Sequence, residues 1–427
     1  MGNKILIQGG LVIDPIAKTE AIRDIKIEKQ LFVEEFSDDK GITIVDATGL
    51  IVTPGLVDMH VHLREPGRED EETIRSGARA ACAGGFTTIV CMPNTNPCVD
   101  NRAVLEYILD RAANVPCGVK VVGSTSVDQA GRCLSDMGDL ADAGAVAFSD
   151  DGLPIKDSAL MRRALEYSGV FGLPIICHAE DTGLSDGGVM NEGPTAASLG
   201  LKGIPAAAEE IMVARDIILA ELTGGRLHIT HVSTAGSVDL IRSAKKRGVR
   251  VSADVTPHHL VLTDENMKGY DTNYKINPPL RGEAEKKALF EGLVDGTIDA
   301  IVSDHAPHAL HEKEQEIERA PFGTIGLQTT LPVVMTYLAK TKLGLSGLIS
   351  KLTRGPAQIL GLEAGTFEIG NQADVAIIDP EAKVKIEPSY FLSKSNNSAF
   401  LGLELVGRAS NVIFQGKIVL KERELIV

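Results

Sequence analysis

The 427 residues are 44% hydrophobic and carry a formal charge of −15, a composition that folds as a globular protein and excludes non-specific nucleic-acid binding. Tryptophan is absent and aromatics are only 4%, so nothing favours base stacking or a carbohydrate platform. No apolar run approaches membrane-spanning length, and the chain is long enough to predict one large domain with a smaller one.

The N-terminus, MGNKILIQGG, lacks a secretory apolar core and the Ser or Thr at position six of a myristoylation signal. Up to residue 53 the chain alternates in the manner of strands: KILIQGGLVID, RDIKIEK and GITIVDATG. ADVAIIDP and SNVIFQGKIVLKE near the other end repeat the style. ILIQGGLVI and VIFQGKIVL each read as a hairpin turning at Gln-Gly. Residues 1–53 and 361–427 are therefore expected to build one small β-sandwich domain together.

Residues 54–360 change character. GLVDMHVHL, FTTIVCMPN, KVVGSTS, AVAFSDDG, PIICHAED, RLHITHVS, RVSADVTPHH and DAIVSDHAPH are eight β-rich runs. Amphipathic segments such as ETIRSGARAACAGG and AEEIMVARDIILAELTG separate them, several ending in Gly as a helix C-cap does. Eight β units alternating with helices predict a (β/α)8 TIM barrel, an α/β fold. The charged stretch HEKEQEIERA after the eighth unit is a solvated surface segment by default, and residues 309–321 are a lid in the sharper reading. Cys82, Cys91, Cys98, Cys117, Cys133 and Cys177 form no CxxC pair; they read as buried free thiols and fit a reducing cytoplasm.

In such barrels chemistry gathers at the C-terminal strand ends, which here hold HVH, MPN, SDD, CHAED, THVS, TPHH and SDHAPH. His60 and His62 are two apart on a strand, so both rings leave one face and can chelate one divalent ion, zinc by donor type. His178 and His231 end the fifth and sixth units and read as ligands of a second ion. Asp304 ends the eighth unit, where a carboxylate can bind metal and trade a proton with metal-bound water. Of the adjacent Asp150 and Asp151, only one can face the metals as a bridge; Asp151 is the favoured one, with Asp150 as ligand and Asp151 in a turn as the alternative. Arg64 lies two past His62 and shares the ligands' face if the strand continues; with Asn94 it suggests a clamp for a carboxylate. Asn277 in KINPPLR and His308 in HAPH are further contacts, or ordinary loop formers.

DMHVHLREPG, GGFTTIVCMPNTNP, FSDDG, CHAED, THVS, KINPPLR and SDHAPH together resemble type I dihydroorotases of the amidohydrolase superfamily, over nearly the whole chain. The resemblance implies a metal-dependent hydrolase that interconverts N-carbamoyl-L-aspartate and L-dihydroorotate by a zinc-activated hydroxide, in de novo pyrimidine synthesis. It implies two Zn2+ per subunit, or one held alone. His60 and His62 correspond to ligands of the first, His178 and His231 to those of the second, Asp151 to the bridge and Asp304 to a metal-bound proton shuttle. His62, Arg64, Asn94, Asn277, His308 and the Phe322–Gly323 backbone correspond to substrate contacts. Hydantoinases and many other dihydroorotases bridge with a carboxylated lysine; SDDG offers aspartate, and Lys156 lies past the expected strand end, which weakens a hydantoinase or allantoinase reading. The expected partners are the small-molecule substrate and a second copy of the chain or aspartate carbamoyltransferase, with no nucleic acid and no membrane.

Overall fold

The computed structural model describes residues 4–426. Seven strands precede the barrel: β1 (Lys4–Gln8), β2 (Leu11–Asp14), β3 (Thr19–Ile22), β4 (Ile25–Glu28), β5 (Leu31–Val33), β6 (Ile42–Asp46) and β7 (Ile51–Pro54). The barrel strands are β8 (Leu56–Val61), β9 (Phe86–Cys91), β10 (Gly118–Ser124), β11 (Ala145–Ser149) and β12 (Ile175–Cys177). A short parallel pair, β13 (Met190–Asn191) and β14 (Gly203–Ile204), interrupts before β15 (Leu227–Ile229), β16 (Val251–Val255) and β17 (Ala300–Ile301). The chain closes with β18 (Val375–Lys385), β19 (Glu404–Phe414), β20 (Lys417–Lys421) and β21 (Glu424–Leu425).

All eight predicted β units fall in one parallel sheet of order β17-β16-β15-β12-β11-β10-β9-β8. The ends meet where the His62 N–H donates to the His305 carbonyl at 2.9 Å, so the sheet is a nearly closed barrel. The intervening helices stop where the sequence signals a stop. Helix Ser158–Phe171 begins on the Asp157 side chain and ends at Gly172 in the left-handed region, φ 69°. Helix Ala207–Thr223 ends the same way at Gly224. Leu56, Phe86 and Ile89 from strands pack with Ile74, Ala78, Leu105 and Leu165 from helices in the largest apolar cluster.

Strands from both ends of the chain share a seven-stranded sheet, β21-β20-β19-β18-β7-β2-β3, which faces a four-stranded one, β5-β4-β1-β6. Their common core holds Ile5, Ile27 and Phe32 from the smaller sheet and Val12, Val52, Val375 and Ile413 from the larger. Only one of the two predicted hairpins forms. Gln415 and Gly416 sit at φ 50° and 65°, the primed-turn geometry that joins β19 to β20. The N-terminal counterpart is a crossover: β1 and β2 lie in different sheets. A Cβ on Gly10 would lie 2.5 Å from Val52 Cγ2 and 2.9 Å from Ala47 Cβ, so this Gly pair serves close passage between layers.

The stretch after β17 is fastened along its length. Lys275 Nζ donates to the Ile317 carbonyl at 2.7 Å, and Lys313 Nζ to the Pro321 and Gly323 carbonyls at 3.0 Å each. Arg68 pairs with Glu312 at 2.7 Å. All six cysteines are free, yet only Cys82, Cys91 and Cys117 are buried; Cys98 and Cys177 are half-buried and Cys133 is exposed. This corrects the uniform burial expected of them, because Cys98 and Cys133 fall in loops rather than in the apolar runs. Among the described residues no helix is long and apolar enough to cross a membrane.

Candidate active site

Five strand ends of the barrel deliver the predicted ligands to one point. His60 is the fifth residue of β8 and His62 follows it by two; Asp151, His178, His231 and Asp304 lie one to three residues past β11, β12, β15 and β17. His60 Nε2 stands 3.5 Å from Asp151 Oδ2 and 3.6 Å from Asp304 Oδ1. His62 Nε2 stands 3.6 Å and 3.3 Å from the same oxygens. The other oxygen of Asp151, Oδ1, faces His231 Nε2 at 3.6 Å, and His231 Nε2 lies 3.1 Å from His178 Nδ1. Asp151 thus belongs to two ligand sets at once, His60–His62–Asp151 and Asp151–His178–His231.

Asp150 is turned elsewhere. It accepts the N–H groups of Thr125 at 2.9 Å and Ser126 at 3.0 Å, together with the Ser126 hydroxyl, and so anchors a neighbouring loop. Lys156 is exposed and lies outside the cluster.

These donors fit a metal. Atoms bound at about 2.0–2.1 Å to a tetrahedral ion stand roughly 3.3 Å apart, close to the separations here. His60 Nε2 and Asp151 Oδ1 are buried with no hydrogen-bond partner, a state that buried polar atoms avoid unless something else satisfies them. Electrostatics agree. Burial opposes the charge of Asp304, yet its hydrogen bond to His62 and the charges of His60 and His231 hold the carboxyl far below its ordinary range. Asp151 is held down against burial by His60 and His231. Burial works to lower the His60 imidazole, but Asp151 and Asp304 push it up. Two ionised carboxylates among four buried imidazoles form a site of N and O donors suited to zinc.

Every predicted residue except His60 lines one cavity of about 270 Å³, which Gly152 and Ala306 complete; His60 lies beneath it, fully buried. Arg64 does not arrive as a strand residue. Strand β8 ends at Val61, and Arg64 swings into the cavity through a left-handed turn, φ 60°. His231 and Asp304 are left-handed too, at φ 39° and 46°. Three strained non-glycine residues in one site indicate side-chain placement enforced by the surrounding fold.

Asn94 Oδ1 accepts from His62 Nδ1 at 2.9 Å, which turns His62 Nε2 toward the cluster and leaves the Asn94 amide N–H groups for a ligand. Asn277 donates to Glu180 at 2.9 Å, and Glu180 also takes the His178 Nε2 proton at 2.9 Å. His308 Nε2 donates to the Phe322 carbonyl at 2.8 Å. The sequence reading passed over Glu180 and over Glu71, which grips Arg64 at 2.9 Å and His308 at 2.8 Å. The acidic residue two past His178 in CHAED was a usable signal for Glu180. Nothing in the run REDEE distinguishes Glu71 from its neighbours: Glu71 and Glu72 are both buried, and only the fold sends Glu71 to Arg64 and His308 and Glu72 to His305.

A sequence model described as Dihydro-orotase-like matches residues 49–237. A dihydroorotase of Pelotomaculum thermopropionicum is 50% identical over 423 residues, covering 98% of this chain and 99% of that protein. A dihydroorotase of Geobacter metallireducens is 49% identical over 421 residues, with coverage of 98% and 99%. Among solved structures, an L-hydantoinase (dihydropyrimidinase) from Arthrobacter aurescens superposes with a TM-score of 0.89 at 25% identity, over 100% of this chain and 98% of that one.

Proposed function

The chain belongs to the dihydroorotase family, and on that premise we propose that its cleft closes N-carbamoyl-L-aspartate to L-dihydroorotate and reopens it. The observation that carries this reading is Asp151, whose two oxygens face two separate histidine sets in the barrel mouth, beside Arg64 and Asn94. His60, His62, Asp151 and Asp304 are assigned to one cation and Asp151, His178 and His231 to a second, zinc being the metal the donors favour. A cation bound there supplies Lewis acidity and lowers the pKa of a water.

The protein's own groups do the rest. Arg64 presents a planar fork to the substrate carboxylate, and Asn94 donates to the same group, which sets the reacting carbonyl at attack distance. In ring opening Asp304, kept ionised by its histidine neighbours, takes a proton from the attacking water and delivers it to the departing ring nitrogen. In ring closure it takes the proton from the carbamoyl nitrogen as the C–N bond forms and returns it to the departing oxygen, which leaves as water. His308 and the backbone of Phe322 and Gly323 form the opposite wall. Six free cysteines suit the reducing cytoplasm to which this reading assigns the protein. Assembly with a second copy or with aspartate carbamoyltransferase is part of the proposal, and light scattering with and without that enzyme checks it.

A turnover panel of dihydroorotate, hydantoin and allantoin tests the function, run on the purified protein before and after chelation. Dihydroorotate is expected to be the preferred substrate, with turnover lost on chelation and restored by zinc. Preference for hydantoin, or turnover indifferent to chelation, refutes it.

A further inference from the structure

Beneath the candidate ligands, a column of polar side chains runs down the barrel interior, and the mechanism above uses none of it. His60 Nδ1 lies 2.7 Å from Thr230 Oγ1. The Thr230 hydroxyl donates to Asp254 at 3.0 Å, and His228 Nε2 stands 2.8 Å from the same carboxylate. The backbone N–H of His231 donates to Asp254 Oδ1 at 2.5 Å. His228 Nδ1 meets Ser252 Oγ at 2.9 Å, and Ser252 lines a basal cavity with Arg226 and Arg250. Asp254, His228 and His60 are completely buried, and Thr230 is 2% exposed.

The donors in this column can run in only one sense. Asp254, as a carboxylate, only accepts, so Thr230 spends its one hydroxyl proton on Asp254 and must accept from His60. His60 therefore carries its proton on Nδ1, and its unpartnered Nε2 is the basic nitrogen. The same carboxylate holds the N–H of His231, the residue whose φ of 39° needs support.

We propose that Asp254, acting through Thr230, is the positioning residue of this site: it fixes the tautomer and aim of His60 and the backbone turn of His231, and so ties one ligand of each set to a single buried carboxylate. The inference rests on the metal reading of His60 and His231.

The test compares the parent protein with D254N, T230V and T230S, each loaded with Zn2+ and challenged with a chromophoric chelator. Steady-state kinetics on dihydroorotate and thermal unfolding of the stripped proteins accompany it. D254N and T230V are expected to lose zinc about 10–100-fold more readily than the parent. T230S, which restores the hydroxyl, is expected to retain it like the parent. KM stays near the parent value because Arg64 and Asn94 are untouched, while kcat at limiting zinc falls. If D254N does not fold, T230V carries the test, since this almost isosteric change removes the hydroxyl that joins His60 to Asp254 and leaves the His231 N–H bond to Asp254 in place. Zinc retention in T230V equal to the parent's overturns the proposal. So does a loss of thermal midpoint in the stripped T230V that T230S repairs, because the hydroxyl is then structural. A parent that binds no zinc overturns the metal reading itself, and that result appears before any variant is made.

Discussion

At the scale of single residues, the site divides into groups that move protons and groups that hold the substrate. Asp304 is the proton carrier in the proposed reaction, so D304A is expected to lower kcat by about 10²–10⁴-fold. The stripped protein should melt near the parent, because the carboxylate packs against no apolar core. A D304A protein of full activity would remove Asp304 from the mechanism. Arg64 sits on a left-handed backbone with Glu71 gripping its Nε and His308 Nε2 3.4 Å from its Nη2, which aims the fork into the cavity. Lysine there would keep the charge but lose the fork. R64K is expected to raise KM for dihydroorotate about tenfold or more, on the roughly 1.5–3 kcal/mol of a charged hydrogen bond. An unchanged KM would place the substrate carboxylate elsewhere.

At the scale of elements, the segment after β17 and the crossover after β1 make separate predictions. Lys313 is buried against backbone carbonyls, and burial with the nearby Lys275 charge pulls its ammonium down from 10.5 to about 7. With its folded pKa depressed, Lys313 keeps its proton more readily in the unfolded chain than in the folded one between the two values. Stability should therefore rise with pH from about 7 towards 10.5, and carry the full cost of the buried charge below about 7. Urea midpoints taken across that window should climb less steeply in K313M than in the parent; parallel slopes would rule Lys313 out. The crossover is a steric matter. Alanine at Gly10 would drive a methyl into Val52 and Ala47, an overpacking expected to cost about 1–3 kcal/mol in chemical unfolding. An unaffected G10A would mean that the two layers separate easily.

Across the whole molecule, the candidate centre draws ligands from the ends of five barrel strands, which backbone bonds such as His62 N–H to the His305 carbonyl also hold together. A metal bound only by the folded barrel stabilises it by mass action, about 2.7 kcal/mol at a hundredfold excess over Kd. Zinc titrated into the stripped protein should raise its thermal midpoint, and the same titration of H178A should raise it less. Equal rises in both would show that the zinc binds elsewhere. The two sheets built from the chain ends share their own core, with Phe32 and Phe367 meeting edge to face at 5.5 Å, so this part should be indifferent to zinc.

Local chemistry made much of this legible in the amino-acid sequence. Eight apolar runs with helices between them predicted a parallel barrel, and in a barrel His and Asp at the same place in several runs meet at its mouth. Periodicity says which residues end a strand, and in a barrel all those ends converge. What the tertiary structure alone decided concerns direction and depth. Two Gln-Gly stretches look alike, yet one turns a hairpin and the other crosses layers, because β19 pairs with β20 whereas β1 pairs with β4 and β6 and β2 with β3 and β7. Asp151 faces the histidines while Asp150 anchors a loop, a difference of rotation that adjacent identical residues cannot announce. Glu71 reaches His308 across 237 residues of chain, and Asp254 holds Thr230 and the His231 N–H across 24 and 23. Their hydrogen bonds exist only after the barrel has closed, since a buried carboxylate gets its partners from packing rather than from its neighbours in the chain.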